Sequence, residues 1–262
     1  MPRLAANLTL LFNEYDFPDR YAAARAQGFW GVECLFPYAW SASDLAARLG
    51  DQGLTQVLFN LPAGDWESGE RGIACLPGRE DEFRRGLETA IGYARALGCK
   101  RLNCLAGVRP ADLDPGLARD TLIANLGWAA AQLAREGVEL VVEAINSRVD
   151  MPGFLLDTSA AALAVMEAVG SDNLRLQYDI YHMQIMEGDI LRTLARHLPR
   201  IGHIQFADNP GRHEPGTGEL NYVRIFEALD EMGYDGWVSA EYRPSTTTAD
   251  SLKSLSRWLG AF

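Results

Sequence analysis

The chain has 262 residues, 48% hydrophobic and 23% charged, with a formal net charge of −11 at pH 7. That is an ordinary globular composition of a length that suits one large α/β domain, and the negative charge argues against a nucleic-acid partner. No apolar run approaches the ~18 residues needed to cross a bilayer, so no membrane span is expected.

In chain order, short apolar runs alternate with longer amphipathic ones. The strand-like runs are Leu4–Phe12, Gly31–Phe36, Leu54–Pro62, Lys100–Gly107, Val138–Asn146, Leu174–His182, Ile201–Asp208 and Gly236–Pro244. A helical pattern follows each. "DRYAAARAQGF" stops at Gly28, and "REDEFRRGLETAIGYARALG" carries Phe83, Leu87, Ala90, Ile91 and Ala94 on one face and stops at Gly98. Glycine at these points is a helix C-terminal signal. "SAAALAVMEAVG" and "NYVRIFEALDEMGY" behave alike. Eight strand–helix units in succession predict an α/β fold, a single (β/α)8 TIM barrel over residues 1–262. The competing doubly wound sheet would place a glycine-rich turn after the first strand, where this chain reads "LLFNEYD". The stretch Leu61–Glu80 is long for a connection and contains Trp66 and Ile73, which reads as a substrate loop or lid.

The ends of the last four strands carry polar side chains: Glu143 in "VVEAIN", Asp179 in "QYDIYH", Gln205 in "HIQFAD" and Glu241 in "SAEYRP". In a parallel barrel those ends gather on the face that holds active sites. Three converging carboxylates do not all stay ionised without compensation. A divalent cation such as Mg2+ or Mn2+ would supply it, because oxygen donors suit hard ions. Any one such carboxylate, Asp179 included, also fits the blander role of helix N-cap. His182, three residues past Asp179, is either a hydrogen-bonded structural residue or a donor to a substrate. Other motifs fail: "HEPGT" lacks the second histidine of HExxH, and neither a GxSxG elbow nor a P-loop is present. Basic stretches near Arg84 and Lys100 read as solvated surface. Cys34, Cys75, Cys99 and Cys104 form no CxxC pair, so reduced thiols in a cytoplasmic protein are expected. The N-terminal apolar run, broken by Asn7 and followed by acid, does not read as a signal peptide.

The stretches "NLPAGDWESGERGIACLPGRE", "VEAIN", "QYDIYHMQIMEGD", "GHIQFADNPGRHEPGTGELNY" and "EYRPSTTT" together resemble the hydroxypyruvate isomerases of the xylose-isomerase-like barrel superfamily. The likeness runs from Ala6 to the last helix. It implies interconversion of hydroxypyruvate with 2-hydroxy-3-oxopropanoate, with Glu143 and Glu241 as the acid/base pair. In related epimerases Glu, Asp, His and Glu on the last four strands hold a metal. Here Glu143, Asp179, Gln205 and Glu241 stand at those positions, and the neutral amide of Gln205 puts the ion's affinity and identity in question. The partner implied is a small 2-oxo or 3-hydroxy acid, whose carboxylate calls for a cation. Arg212 and Arg71 rank ahead of Arg243, since both lie in loops expected on the catalytic face. A four-carbon sugar-acid isomerase would keep the same fold and glutamates. An abasic-site endonuclease would want a histidine-rich metal site and a basic face, and a non-catalytic binder would not need two facing glutamates. A homo-oligomer is compatible with all of these readings.

Overall fold

A computed structural model of the chain describes residues 2–259; the expected domain limits at 1 and 262 lie outside the described residues. Eight parallel strands close into a barrel in sequence order. They are β1 (Arg3–Asn7), β2 (Gly31–Cys34), β3 (Thr55–Asn60), β4 (Arg101–Cys104), β5 (Glu139–Glu143), β6 (Leu174–Asp179), β7 (Ile201–Phe206) and β8 (Trp237–Ala240). The helices α1 (Arg20–Ala26), α2 (Ala42–Gln52), α3 (Glu80–Leu97), α4 (Pro115–Arg135) and α5 (Ser159–Val169) follow the first five strands in turn. Strand β6 is followed by α6 (Ile180–Met186) and α7 (Ile190–His197), β7 by α8 (Tyr222–Glu231), and β8 by α9 (Thr248–Ser251). The expected barrel is therefore the observed one. No helix among the described residues is long and apolar enough to cross a membrane, and all four cysteines are free and buried.

Helix starts follow from local chemistry. Ser41, Asp114, Thr158 and Asn221 each accept a backbone N–H of the first turn of α2, α4, α5 and α8, which satisfies a donor the helix leaves unpaired. The strands are shorter than the apolar runs suggest. β1 stops at Asn7 because the chain turns there: Leu11 N–H returns to the Asn7 carbonyl at 2.9 Å, and Thr9 N–H to its side-chain oxygen at 3.0 Å. Leu8, Leu11 and Phe12 remain buried beyond the strand. Loops on this face pack into the core, so apolar character continues after the ladder has ended.

Alternation sorts each strand into an outward side chain packed under the helices and an inward one. Inside the barrel, Ala5, Val57, Leu58 and Val141 with Trp237 form a small apolar plug separate from the main core. Above it lies a polar tier: Asn7, Glu33, Asn60, Asn103, Glu143, Gln177, His203, Gln205, Ser239 and Glu241, all buried. A polar barrel interior is costly unless its groups pair with one another. This tier is the floor of the site.

Candidate active site

The four strand-end residues are placed where the sequence pattern puts them. Glu143 and Asp179 are the last residues of β5 and β6, Gln205 lies near the end of β7, and Glu241 follows β8 directly. Glu143 pairs in register with Gln177, and Asp179 with Gln205. Asp179 takes the N-cap role and also faces the cleft. Its Oδ1 accepts the Tyr181 backbone N–H at 2.8 Å and caps α6. Its Oδ2 is buried and has no hydrogen-bond partner.

Glu143 and Glu241 are each held from below. Glu143 Oε2 accepts from Asn103 Nδ2 at 3.0 Å and from Gln177 Nε2 at 2.8 Å. Glu241 Oε1 accepts from Asn7 Nδ2 at 3.3 Å, and its Oε2 lies 3.2 Å from Arg212 Nη2. Each carboxylate thus has one oxygen pinned into the floor and one turned elsewhere. Burial, then the neighbouring Asp179 charge, pushes the Glu143 carboxyl up to about 8. Burial likewise pushes Asp179 up to about 6, against the pull of Arg212. Glu241 is raised well above the ordinary carboxylate range, again chiefly by burial. Strong shifts gathered in one cleft are the physical signature of acid/base work.

Arg212 is the cation among them. Its guanidinium lies 3.6 Å from Asp179 and 3.9 Å from Asp150, in addition to Glu241, and stacks over the Tyr181 ring at 5.2 Å. Burial works against its charge, but the Glu241, Asp179, Asp150 and Glu143 carboxylates outweigh that and keep it protonated. The residue has φ 58°, a left-handed conformation that costs a non-glycine residue ~1–2 kcal/mol. Its own N–H to the Asp208 carbonyl and the Arg243 N–H to its carbonyl hold it there. Asp208 in turn accepts backbone N–H groups from Asn209, Gly216 and Leu220, which ties down the loop that delivers Arg212.

His182 falls in the first turn of α6, with Nε2 3.5 Å from Asp179 and 3.9 Å from Glu143. Glu143, Asp179 and His182 each bring a ligand-type atom within 4.8 Å of the other two. The tautomer of His182 is decided behind it. Asn146 Oδ1 accepts the Val149 and Asp150 N–H groups, so its amide nitrogen faces His182 Nδ1 at 2.6 Å. Nδ1 then accepts, and the neutral ring carries its proton on Nε2, toward the cleft. Burial, then Arg212, holds His182 well below its ordinary range, hence neutral. It is a donor aimed at oxygen rather than a lone pair aimed at a metal.

Arg71 reaches the same cavity from the Leu61–Glu80 loop. Its Nη1 donates to the Trp66 and Glu70 carbonyls, and its guanidinium stacks over Trp66 at 4.1 Å. Among the described residues it makes no ion pair, unlike Arg212. The loop is seated by two glycines, Gly72 and Gly107, both at φ 114°. A Cβ on Gly72 would lie 2.4 Å from the Leu105 carbonyl oxygen, and one on Gly107 2.6 Å from that of Gly72. Only glycine permits that approach. The resulting cavity, about 230 Å³, is lined by Trp66, Arg71, Glu143, His182, Arg212 and Glu241, with Arg243 and Asp150 at its side. Gln205 sits beneath it: Oε1 accepts from Gln177 at 2.6 Å and Nε2 donates to Glu33 at 2.8 Å. Sequence reasoning missed Asn7, Glu33, Asn103, Gln177, Asn146 and Asp150. All but the last two occupy inward strand positions, a signal that strict alternation could have exposed.

A sequence model of the xylose isomerase-like TIM barrel family matches residues 21–260. The chain belongs to that family. Among its relatives, a 2-oxo-tetronate isomerase of Cupriavidus necator is 50% identical over 99% of this chain and 100% of that protein. A hydroxypyruvate isomerase of Escherichia coli is 49% identical over 100% of both. A crystal structure described as an AP endonuclease, family 2, from Brucella melitensis superimposes with a TM-score of 0.96 at 42% identity, covering 99% of this chain and 100% of that one.

Proposed function

We propose that the chain is one (β/α)8 domain catalysing aldose–ketose isomerisation of a small 2-oxo acid, hydroxypyruvate to 2-hydroxy-3-oxopropanoate. The observation that carries this reading is the pair of buried, floor-pinned glutamates, Glu143 and Glu241, on one cavity with Arg71 and Arg212. Full-length similarity to the E. coli hydroxypyruvate isomerase supports the substrate.

The reaction moves a proton between adjacent carbons. A glutamate takes it from C3 as the electron pair shifts to the C2 oxygen; the C3 hydroxyl proton then passes to that C2 oxygen, and C2 takes a proton from the acid glutamate as the C3 carbonyl forms. Glu143 and Glu241 act as acid and base, since each keeps one oxygen off the floor. His182 Nε2–H donates to the enediolate oxygens, and Arg212 offsets their charge. Arg71, which makes no ion pair among the described residues, takes the substrate carboxylate with its unused donors.

Glu143 and Asp179 bring carboxylate oxygens close enough together to share a hard divalent ion. Asp179 Oδ2 is buried and accepts no hydrogen bond, with His182 and Arg212 3.5 and 3.6 Å away, and Gln205 Oε1 keeps one lone pair beyond its bond to Gln177. Glu143, Asp179, Gln205 and Glu241 would hold Mg2+ or Mn2+, which supplies Lewis-acid polarisation of the substrate oxygens. A stability measurement checks this. Asp179 and Glu143 titrate at about 6 and about 8, above their ordinary 3.8 and 4.5. Between those limits the native state binds more protons than the unfolded one, so stability falls as pH rises. Chelator-treated protein should melt several degrees lower at about pH 8.5 than at about pH 6, and Mn2+ should remove most of that fall by replacing the proton as counter-charge. Melting that ignores Mn2+ at the higher pH would sink the metal assignment.

The C. necator relative favours a second substrate, a four-carbon 2-oxo acid, on the same machinery. Rates with three- and four-carbon 2-oxo acids in a reductase-coupled assay separate the two. Higher kcat/KM on hydroxypyruvate supports the first reading, and preference for the longer acid replaces it. Turnover of neither overturns the isomerase assignment.

A further inference from the structure

Beneath the site lies a fully buried carboxylate that the mechanism does not use. Glu33, on β2, is 0% exposed, as is His203 on β7. His203 Nε2 is 2.7 Å from Glu33 Oε2. Glu33 Oε1 accepts from Asn7 Nδ2 at 3.0 Å and from Gln205 Nε2 at 2.8 Å. An ionised carboxylate has only acceptors, so every neighbour must present an N–H.

That requirement propagates. Because Gln205 turns its amide nitrogen to Glu33, its carbonyl oxygen faces Gln177, which must answer with N–H at 2.6 Å. The other hydrogen on Gln177 Nε2 then falls on Glu143 Oε2 at 2.8 Å. On the opposite side, Asn7 spends one amide hydrogen on Glu33 and the other on Glu241 Oε1 at 3.3 Å. Thr9 N–H at 3.0 Å from Asn7 Oδ1 keeps that amide from turning over. Two chains thus leave one carboxylate, and each ends as a donor on a different glutamate of the pair. The direction is not set by what Gln177 needs for itself, since its carbonyl oxygen is buried without a partner.

We infer that Glu33, locked to His203, is a positioning residue that sets the donor direction of the Gln205–Gln177 chain beneath Glu143 and anchors the Asn7 amide, whose direction Thr9 fixes, beneath Glu241. The inference rests on those two glutamates being the acid/base pair. Glutamine at position 33 would offer N–H as well as oxygen. Gln205 could then turn over, Gln177 would give its N–H to neither Gln205 nor a fixed Glu143, and the pinned oxygen would be released.

The test is steady-state kinetics of Glu33→Gln on hydroxypyruvate, with activity expressed per folded molecule. Misplaced acid/base groups lower kcat, whereas substrate binding through the arginines is untouched. The expected result is kcat down at least ~10-fold with KM within about twofold. Gln177→Met cuts the Glu143 branch while leaving Glu33 and His203 together, and it should lower kcat in the same way even if Glu33→Gln does not fold. Because the residues act in one chain, the double variant should lose less than the product of the two single losses. Wild-type kcat in Glu33→Gln, an unchanged kcat in Gln177→Met, or fully multiplicative losses would each overturn the inference. Failure of the acid/base reading itself shows separately, as turnover retained in Glu143→Gln or Glu241→Gln.

Discussion

Glu143→Gln and Glu241→Gln are each expected to cut kcat on hydroxypyruvate by ~10²–10⁴, with KM changed by less than about threefold. Glutamine keeps the shape and one acceptor oxygen, so Asn103 and Gln177 below Glu143, and Asn7 below Glu241, can retain their hydrogen bonds. The change removes the capacity to hold and release a proton, and at Glu241 also the charge facing Arg212 at 3.2 Å. Both substitutions also remove a buried carboxylate that burial already disfavours as an anion, so the folded state should not suffer. Far-ultraviolet circular dichroism and a melting curve at or above that of the wild type would show this. The double variant should lose little more than the worse single one, because each step needs both groups. Near-full activity in either single variant removes that residue from the acid/base pair.

Arg212→Met is the second large effect, and it divides between stability and catalysis. The guanidinium faces Glu241 at 3.2 Å, Asp179 at 3.6 Å and Asp150 at 3.9 Å, with Glu143 also within its influence. Removing this cation from a buried group of anions costs ~3–5 kcal/mol when they are ionised. At low pH the Glu241, Asp179 and Glu143 carboxyls, raised by burial, are not. Without Arg212, Asp179 and Glu143 rise further above about 6 and about 8, where they already stand. The loss relative to wild type should therefore be small near pH 5 and grow as pH rises through and beyond those values. Denaturant unfolding of metal-free protein at both ends of that range measures it. An equal loss at both would mean that Arg212 contributes packing on Tyr181 rather than charge. Turnover should fall at every pH, because the enediolate loses its nearest fixed positive charge.

The last four strands announced themselves because carboxylates are conspicuous at the end of an apolar run. Glu143, Asp179 and Glu241 in "VVEAIN", "QYDIYH" and "SAEYRP" have no apolar explanation. Asn7, Asn60 and Asn103 obey the same rule on β1, β3 and β4. They lay inside the expected strands Leu4–Phe12, Leu54–Pro62 and Lys100–Gly107, where a neutral amide is less conspicuous than a carboxylate. Glu33 lies in the middle of the expected run Gly31–Phe36 and not at its end, where the other carboxylates drew notice. Gln205 was read as a ligand position, and the structure adds that its amide also carries hydrogen bonds on both ends.

What the sequence determines by itself is the architecture and the inward face of the catalytic strands. Eight strand–helix units, with alternation inside each strand, leave a parallel barrel as the arrangement that buries both faces of every strand. The functions of the loop residues and the directions of the hydrogen bonds were decided only in three dimensions. His182 became a donor because Asn146, 36 residues away, turned its amide nitrogen to Nδ1. Arg71 came to the cavity because Gly72 and Gly107 let two backbones approach. Glu33 reached Gln205 and His203 across the barrel, 172 and 170 residues along the chain. Local sequence carries the period of a strand, but an amide's donor direction is set by whichever group closure of the barrel places opposite it.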